Sequence, residues 1–186
     1  MQPISFGRKI PVATCNIQNK RTKELSKAII YEHDARDSAD VQYFKNLPKH
    51  WKFGREVSEN ISLKHAFQHV YVNDRYFSIE NKEGMPIGLM QISDNCDFID
   101  VEFLEAHDRK KYNFIGTNLL AYAGMTTLNE GQDRLIISEA LKKARPFYIE
   151  HCGFRQNNKI LEMKREEIPN FVQKSQAKTK IMDLWG

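Results

Sequence analysis

Apolar residues along this chain fall mostly into short alternating runs, the period of half-buried strands, with a few stretches at helical spacing between them. Residues 10–17 (IPVATCNI) and 25–33 (LSKAIIYEH) are β-prone and joined by the polar QNKRTKE, which predicts an N-terminal hairpin. Asp37 or Ser38 caps a helix reaching to about Leu47, with Val41, Phe44 and Leu47 on one face, and Pro48 ends it. A second helix starts near Ser58 or Asn60, where Ile61, Ala66, Phe67 and Val70 recur at helical spacing. Strands are predicted over 75–81, 86–93 and 97–105; in the last of these Phe98, Ile99, Val101 and Phe103 indicate a largely buried run. The loop AHDRKKYN then leads into a helix over 114–128, patterned by Leu119, Leu120, Ala123 and Leu128. A strand over 134–139, a helix over 144–152 closed by Gly153, and an edge strand over 159–165 complete the series.

The element order is therefore β-β-α-α-β-β-β-α-β-α-β. It predicts a mixed α/β (α+β) domain: a mostly antiparallel central sheet of six to seven strands, helices on both faces, and an extra N-terminal hairpin strand. No repeat, low-complexity tract or linker divides the chain. Residues 1–165 are read as one domain and 166–186 as a C-terminal extension. In that extension, Ile181, Leu184 and Trp185 expose apolar area that favours docking on the parent domain or on a second subunit.

Composition narrows the class. The chain has 186 residues, 41% hydrophobic and 28% charged, and a mean hydropathy of -0.59, which together describe a globular chain with a real core. Its apolar runs fall well short of the ~20 residues that span a bilayer, and no apolar segment follows the first basic residues, so a cytoplasmic location is expected. Cys15, Cys96 and Cys152 are odd in number and widely spaced, which indicates neither a disulfide framework nor a zinc knuckle. The net charge of +4 describes a mildly basic surface.

The junction from residue 98 to residue 121 carries the chemistry. A strand ends, the basic residues Arg109, Lys110 and Lys111 follow, and a helix starts close to Gly116. Unpaired amides at a helix start, with the positive end of its dipole, form an anion site that needs no specialised side chain. There is no GxxxxGK[ST] motif and no dinucleotide fingerprint.

Residues 87–154 resemble the GNAT superfamily of acetyl-CoA-dependent N-acetyltransferases. KYNFIG, Lys111 to Gly116, falls in the register of that family's [Q/R]xxGx[G/A] loop and is followed by the family-like TNLLAYA. ARPFYIEHCGF (144–154) is similar to the family's A-x-x-x-Y-x-x-x-G-F segment. Lys111 stands where the family has Gln or Arg, Phe114 where it has its first glycine, and Leu141 where many members have asparagine. The resemblance implies an acetyltransferase-like fold with acetyl-CoA as co-substrate and no metal. The pyrophosphate would be held by Lys111, Tyr112, Asn113, Phe114, Ile115, Gly116 and Thr117. Leu104, Glu105 and Ala106 would offer backbone groups to the acetyl and pantetheine portions.

By the same resemblance, Tyr148 matches a tyrosine that protonates the departing thiolate. A phenol of ordinary pKa ~10 suits that task. Asp100 and Glu102 share one face of their strand because side chains alternate with period two. Carboxylates there are costly unless paired or functional, and Asp100 falls in the register of a family base. Trp51, Phe53 and Arg55, between the first two helices, are candidates for one wall of an acceptor pocket. His65 and His69 have zinc-compatible spacing but no completing ligand, and His151 beside Cys152 does not make a nucleophile, since adjacent helical residues diverge.

The expected function is transfer of an acetyl group from acetyl-CoA to a primary amine by direct attack. The alternatives are a non-catalytic acyl-CoA sensor and a basic RNA-binding module. Acidic residues interspersed among the basic ones count against nucleic acid. The expected partners are acetyl-CoA and an amine acceptor, with no membrane, and a second copy of the chain as a possible homodimer.

Overall fold

The computed structural model describes residues 9–34, 37, 39–40, 42, 74–107 and 110–185. Its frame is a ten-stranded sheet. The hairpin β1 (Ile10–Asn19) and β2 (Leu25–His33) continues into the antiparallel meander β3 (Asp74–Asn81), β4 (Pro86–Asn95) and β5 (Phe98–Ala106). Beyond β5 come the parallel β7 (Arg134–Ile137), then β9 (Ile160–Lys164) and β8 (Arg155–Asn157). Two short strands, β6 (Tyr112–Asn113) and β10 (Met182–Asp183), both pair with the outer edge of β1. Among the described residues the strand count exceeds the expected six to seven because β6, β10 and the three-residue β8 are too short to carry a hydrophobic period of their own.

One crossover matters most for the site. Helix α1 (Ile115–Asn129) links β5 to the parallel β7 and packs on the sheet. Its buried face is wide: every residue from Asn118 through Thr127 is buried. Sheet contacts alone do not explain that. The rest comes from α2 (Ile168–Thr179), whose Ile168, Phe171 and Val172 join the same hydrophobic core. A Cβ on Gly124 would lie 3.1 Å from Ile168 Cγ2, so a small residue lets the two helices approach closely.

The C-terminal segment is thus part of the domain's packing rather than a loose appendage. Leu184 N–H donates to the Val12 carbonyl at 2.9 Å, and Trp185 Nε1 donates to the Pro11 carbonyl at 2.7 Å. The helix expected over 144–152 is present, with Arg145 and Pro146 α-helical and a π-helical turn, Phe147–Cys152, ended by Gly153 in the left-handed region at φ 85°.

Of the first predicted helix, Asp37 accepts the Ala39 N–H at 2.7 Å as an N-cap would, and Ala39, Asp40 and Gln42 are helical; the remainder of it, and the whole of the second, lie outside the described residues. No described helix is long and apolar enough to cross a membrane.

Candidate active site

The site begins where two parallel strands part. β5 and β7 pair only through Phe98–Arg134, Ile99–Leu135 and Asp100–Ile136. β7 ends at Ile137, whereas β5 continues to Ala106. Among the described residues the carboxyl half of β5 therefore has no strand beside it on that edge, which leaves a cleft. Ligands of open α/β sheets bind at this kind of place, outside the carboxyl ends of parallel strands.

Asp100 fixes the point of divergence. Its carboxylate accepts the Ser138 N–H at 3.1 Å and, through the other oxygen, the Ser138 hydroxyl. Burial raises the Asp100 pKa; the two bonds from Ser138 oppose that rise and nearby Glu139 adds to it. A carboxylate so bonded ties β5 to the end of β7.

Glu102 has a different setting. In the pairing with β4, Gln91 faces Phe103 and Ile92 faces Val101, so Glu102 is the extra residue of a β-bulge. The bulge changes which residues meet α1: Ile99 and Val101 before it, Leu104 and Ala106 after it. Strict alternation along 97–105 did not anticipate this shift. Gln91 Nε2 bridges the two strands, donating to Glu102 Oε2 at 2.9 Å and to Asp74 Oδ2 at 3.1 Å. Burial of the carboxyl group, then the charges of Asp74, Asp100 and Glu139, push the Glu102 pKa up to about 7, against a smaller opposing bond from Ser93. The residue as a whole remains exposed. A group that is half protonated near neutrality and open to solvent is suited to taking up a proton.

At the far end of β5 the chain turns into α1. The loop is anchored on β1: Lys20 N–H donates to the Lys111 carbonyl at 2.8 Å, Tyr112 pairs with Asn19, and Asn113 pairs with Gln18. The backbone of Tyr112 and Asn113 is thereby engaged in a strand. Lys111 is exposed, its Nζ 5.0 Å from the centre of the Tyr112 ring. Phe114 follows in the left-handed region, φ 73° and ψ 4°, at the helix N-cap. That conformation is rare for a bulky residue and ordinary for glycine. The chain keeps a glycine-type turn with a phenylalanine in it.

The Phe114 carbonyl accepts the Asn118 N–H at 2.9 Å, the first bond of α1. The amides of Ile115, Gly116 and Thr117 precede that bond, no side chain caps the helix, and no acidic residue sits in its first turn. Asn118 Nδ2 donates to the Asn16 carbonyl at 3.0 Å and holds the helix start against β1.

The strand end, the helix start and the π-helical turn converge on one point. A Cβ on Gly116 would lie 3.4 Å from Phe147 Cζ and 3.7 Å from Leu104 Cδ2. Tyr148, the next residue, is 6% exposed, with Phe147 and Phe154 rings at 5.3 Å and 6.1 Å. The structure therefore brings Leu104, Gly116 and the Phe147–Tyr148 turn together at the mouth of the cleft whose wall carries Asp100 and Glu102. π-Helical turns often mark functional sites.

Glu105 and Ala106 are half-buried at the end of β5, and the His107 N–H continues the pairing with β4 by donating to the Ile87 carbonyl at 2.8 Å. Burial pushes the Cys152 thiol up to about 12, so it is not a nucleophile at neutral pH. Trp51, Phe53, Arg55, His65, His69 and Arg109 lie outside the described residues. Among the described residues no group of three or more His, Cys, Asp and Glu is placed to hold a metal ion.

Sequence reasoning missed Ser138 and Gln91. Each is a single polar residue in or beside an apolar strand, and that is the only signal either offers.

A splayed parallel pair, a crossover helix with open first-turn amides and an antiparallel meander define the GNAT acetyltransferase fold, and this chain has it. Similarity to solved structures agrees. The acetyl-CoA-bound AtaTR structure aligns with TM-score 0.53 at 14% identity over 77% of this chain and 96% of that one. A GNAT family acetyltransferase from Elizabethkingia anophelis with acetyl-CoA bound aligns with TM-score 0.50 at 13% identity, over 74% and 97%. Nourseothricin acetyltransferase aligns more loosely, with TM-score 0.41 at 16% identity, and the chain spans 66% of it. No family model matches the chain, and no curated protein matches it.

Proposed function

We propose that this protein is an N-acetyltransferase that moves an acetyl group from acetyl-CoA to a primary amine by direct attack. The observation that carries the reading is the turn at Phe114. A phenylalanine held at φ 73° starts α1, whose first three amides carry no side-chain cap among the described residues, and backbone strain of this kind persists where the surroundings and function demand it. Two neighbours in fold, AtaTR and the Elizabethkingia anophelis protein, are described with acetyl-CoA bound.

In this reading the amides of Ile115, Gly116 and Thr117 hold the diphosphate, with the exposed Lys111 beside them. The end of β5 at Leu104, Glu105 and Ala106 meets the acetyl and pantetheine portions. Glu102, with its pKa about 7, takes the proton from the acceptor's ammonium, directly or through water. The amine nitrogen then bonds to the acetyl carbon as the carbon–sulfur bond breaks, Tyr148 gives its proton to the leaving thiolate, and the proton the nitrogen sheds on becoming an amide passes through water to restore the phenol. Asp100, engaged by Ser138, positions the cleft rather than moving the proton. Trp51, Phe53 and Arg55 remain candidates for the acceptor side.

The test pairs binding with turnover. Calorimetry with acetyl-CoA is expected to show one site, and an amine screen read by thiol release is expected to find an acceptor. With that acceptor, Tyr148→Phe should slow turnover by roughly 10²–10⁴ with the donor's affinity nearly unchanged. A protein that binds the donor but releases thiol with no amine is a sensor, and one that binds no donor is neither.

A further inference from the structure

A second concavity lies at the other end of α1, away from the cleft. Phe77 marks the sheet face that meets the helix there, its ring 5.4 Å from that of Tyr122. Glu32 pairs with Phe77 across β2 and β3, and Arg75 lies two residues before Phe77, so both extend that face past the core. Beyond them Tyr122, Thr126 and the C-cap residue Glu130, with Asp183 and Trp185 of the C-terminal segment, line an open cavity of about 340 Å³.

Its charge is one-sided. Among the residues that line it, Glu32, Glu130 and Asp183 stand against Arg75 alone. Arg75 is already committed: Nε and Nη2 donate to Glu32 at 2.8 Å and 3.2 Å, and Nη1 donates to Glu130 at 2.6 Å. Asp183 has neutral donors instead, the Trp185 N–H at 2.9 Å and Asn129 Nδ2 at 3.3 Å. Among the described residues no cation pairs with it. Trp185 supplies a different chemistry. Its indole N–H is fixed on the Pro11 carbonyl and its backbone N–H on Asp183, yet the residue is 73% exposed. A ring pinned by two hydrogen bonds and left open is ordered before any ligand arrives, which removes part of the cost of binding.

We propose that this cavity binds an organic cation, an alkyl or quaternary ammonium, seated against the Trp185 ring with Asp183 and Glu130 as its counter-charges. An aromatic face attracts a cation through its quadrupole, and the surplus carboxylate charge sets the sign of the ligand. Tyr122 gives the alkyl groups a second aromatic surface. A metal ion is not the occupant that fits, because among the described residues no three carboxylates converge on one point. None of these residues belongs to the cleft or to the start of α1. The helix from Gly116 to Glu130, roughly 20 Å long, lies between the two places, so the site does not rest on the acetyl-CoA reading.

The experiment titrates the full chain with choline, whose quaternary nitrogen cannot accept an acetyl group, and with dimethylbutanol, which has the same shape with carbon in place of the charged nitrogen. The readout is the indole N–H resonance of Trp185. The chain has two tryptophans, and the signal absent from Trp185→Ala is the one to follow. Choline should shift it saturably and dimethylbutanol should leave it in place. Asp183→Asn keeps the shape of the side chain and removes its charge, so it should bind choline about fivefold more weakly, the worth of one unit charge at about 4 Å in water. Raising the salt should weaken choline binding to the native protein. Equal shifts with the two ligands would reduce the site to an apolar patch and overturn the proposal. So would choline that moves only the Trp51 signal, or an Asp183→Asn protein that binds choline as the native one does. Unchanged thermal melting of Asp183→Asn without ligand checks that its loss of affinity is local.

Discussion

Ser138 donates both its backbone N–H and its hydroxyl to the carboxylate of Asp100, the last residue of β5 that pairs with β7. The pair fixes where the two parallel strands separate, and so where the cleft begins. It also separates the two carboxylates read together from the sequence: Asp100 is spent on a neighbouring strand, while Glu102, at the bulge, keeps a free face.

If Asp100 and Ser138 act as one unit, their substitutions must couple. Ser138→Ala should cost about 1–3 kcal/mol, because a buried carboxylate loses a partner. Asp100→Asn should cost a similar amount, and the double variant should cost clearly less than the sum. Urea unfolding of the four proteins measures this, and strictly additive losses would show that the two residues are independent.

Glu102 makes a prediction about pH. Its carboxyl is raised from 4.5 to about 7 by burial and by Asp74, Asp100 and Glu139. The folded protein therefore keeps a proton there that the unfolded chain releases. The contribution to stability is full below pH 4.5 and is lost as the pH rises through about 7. Glu102→Gln removes that loss, so its melting temperature should gain on the native protein between about pH 5 and about pH 8. Turnover should move the opposite way: in the native protein it rises with a midpoint near 7, and in Glu102→Gln it is low and flat. A rising limb that survives in Glu102→Gln assigns the base to another group.

Much of the frame was legible in the sequence, because strands and the α1 helix follow from periods of two and of 3.6 residues in their apolar positions. The meander and the crossover appear almost at their predicted bounds. What the pattern could not show is where alternation breaks. A bulge adds one residue without changing composition, so alternation put Glu102 on one face with Asp100 and could not show that it is the extra residue. The two-residue strands β6 and β10 are too short to carry a period at all. The family-like spacing drew attention to Phe114 as an outlier, but only the backbone reveals that the glycine conformation was kept and the glycine was not. Residues 166–186 read as an extension because they follow the last predicted strand with mixed polarity, yet Ile168, Phe171 and Val172, at helical spacing, bury α2 against α1.

Gly88 in β4 sets the height of α1 above the sheet. A Cβ there would lie 2.5 Å from Ile115 Cγ2, 2.8 Å from Ile79 Cγ2 and 3.2 Å from the Glu105 carbonyl. Ile115 is the first residue of α1, so Gly88→Ala must push the helix start outward or force its side chain off rotamer. The expected cost is about 1–3 kcal/mol in stability, together with weaker binding of acetyl-CoA, since the open amides move with Ile115. Gly84→Ala provides a control of a different kind: its Cβ meets nothing within 4 Å, but its φ of 72° carries backbone strain. That variant should lose stability and keep its affinity for the donor. Equal affinity losses in the two variants would show that the position of Ile115 does not govern binding.

The strain at Phe114 can be separated from its side chain by comparing two truncations. A left-handed backbone costs a residue with a Cβ about 1–2 kcal/mol, and glycine escapes that cost. Phe114→Ala removes the half-buried ring and keeps the strain; Phe114→Gly removes the ring and the strain together. Phe114→Gly should therefore be the more stable of the two by about 1 kcal/mol in urea unfolding, even though glycine gains more freedom in the unfolded chain. That difference measures the cost of holding this turn with a side chain on it. If the strain is retained because the turn aims the amides of Ile115, Gly116 and Thr117, the two variants should also bind acetyl-CoA differently. Glycine keeps the turn at little cost, whereas alanine has reason to relax out of it. Alanine equal to or more stable than glycine would mean that the left-handed turn relaxes once the ring is gone, and the amides would then owe their direction to Phe114 packing rather than to the loop itself.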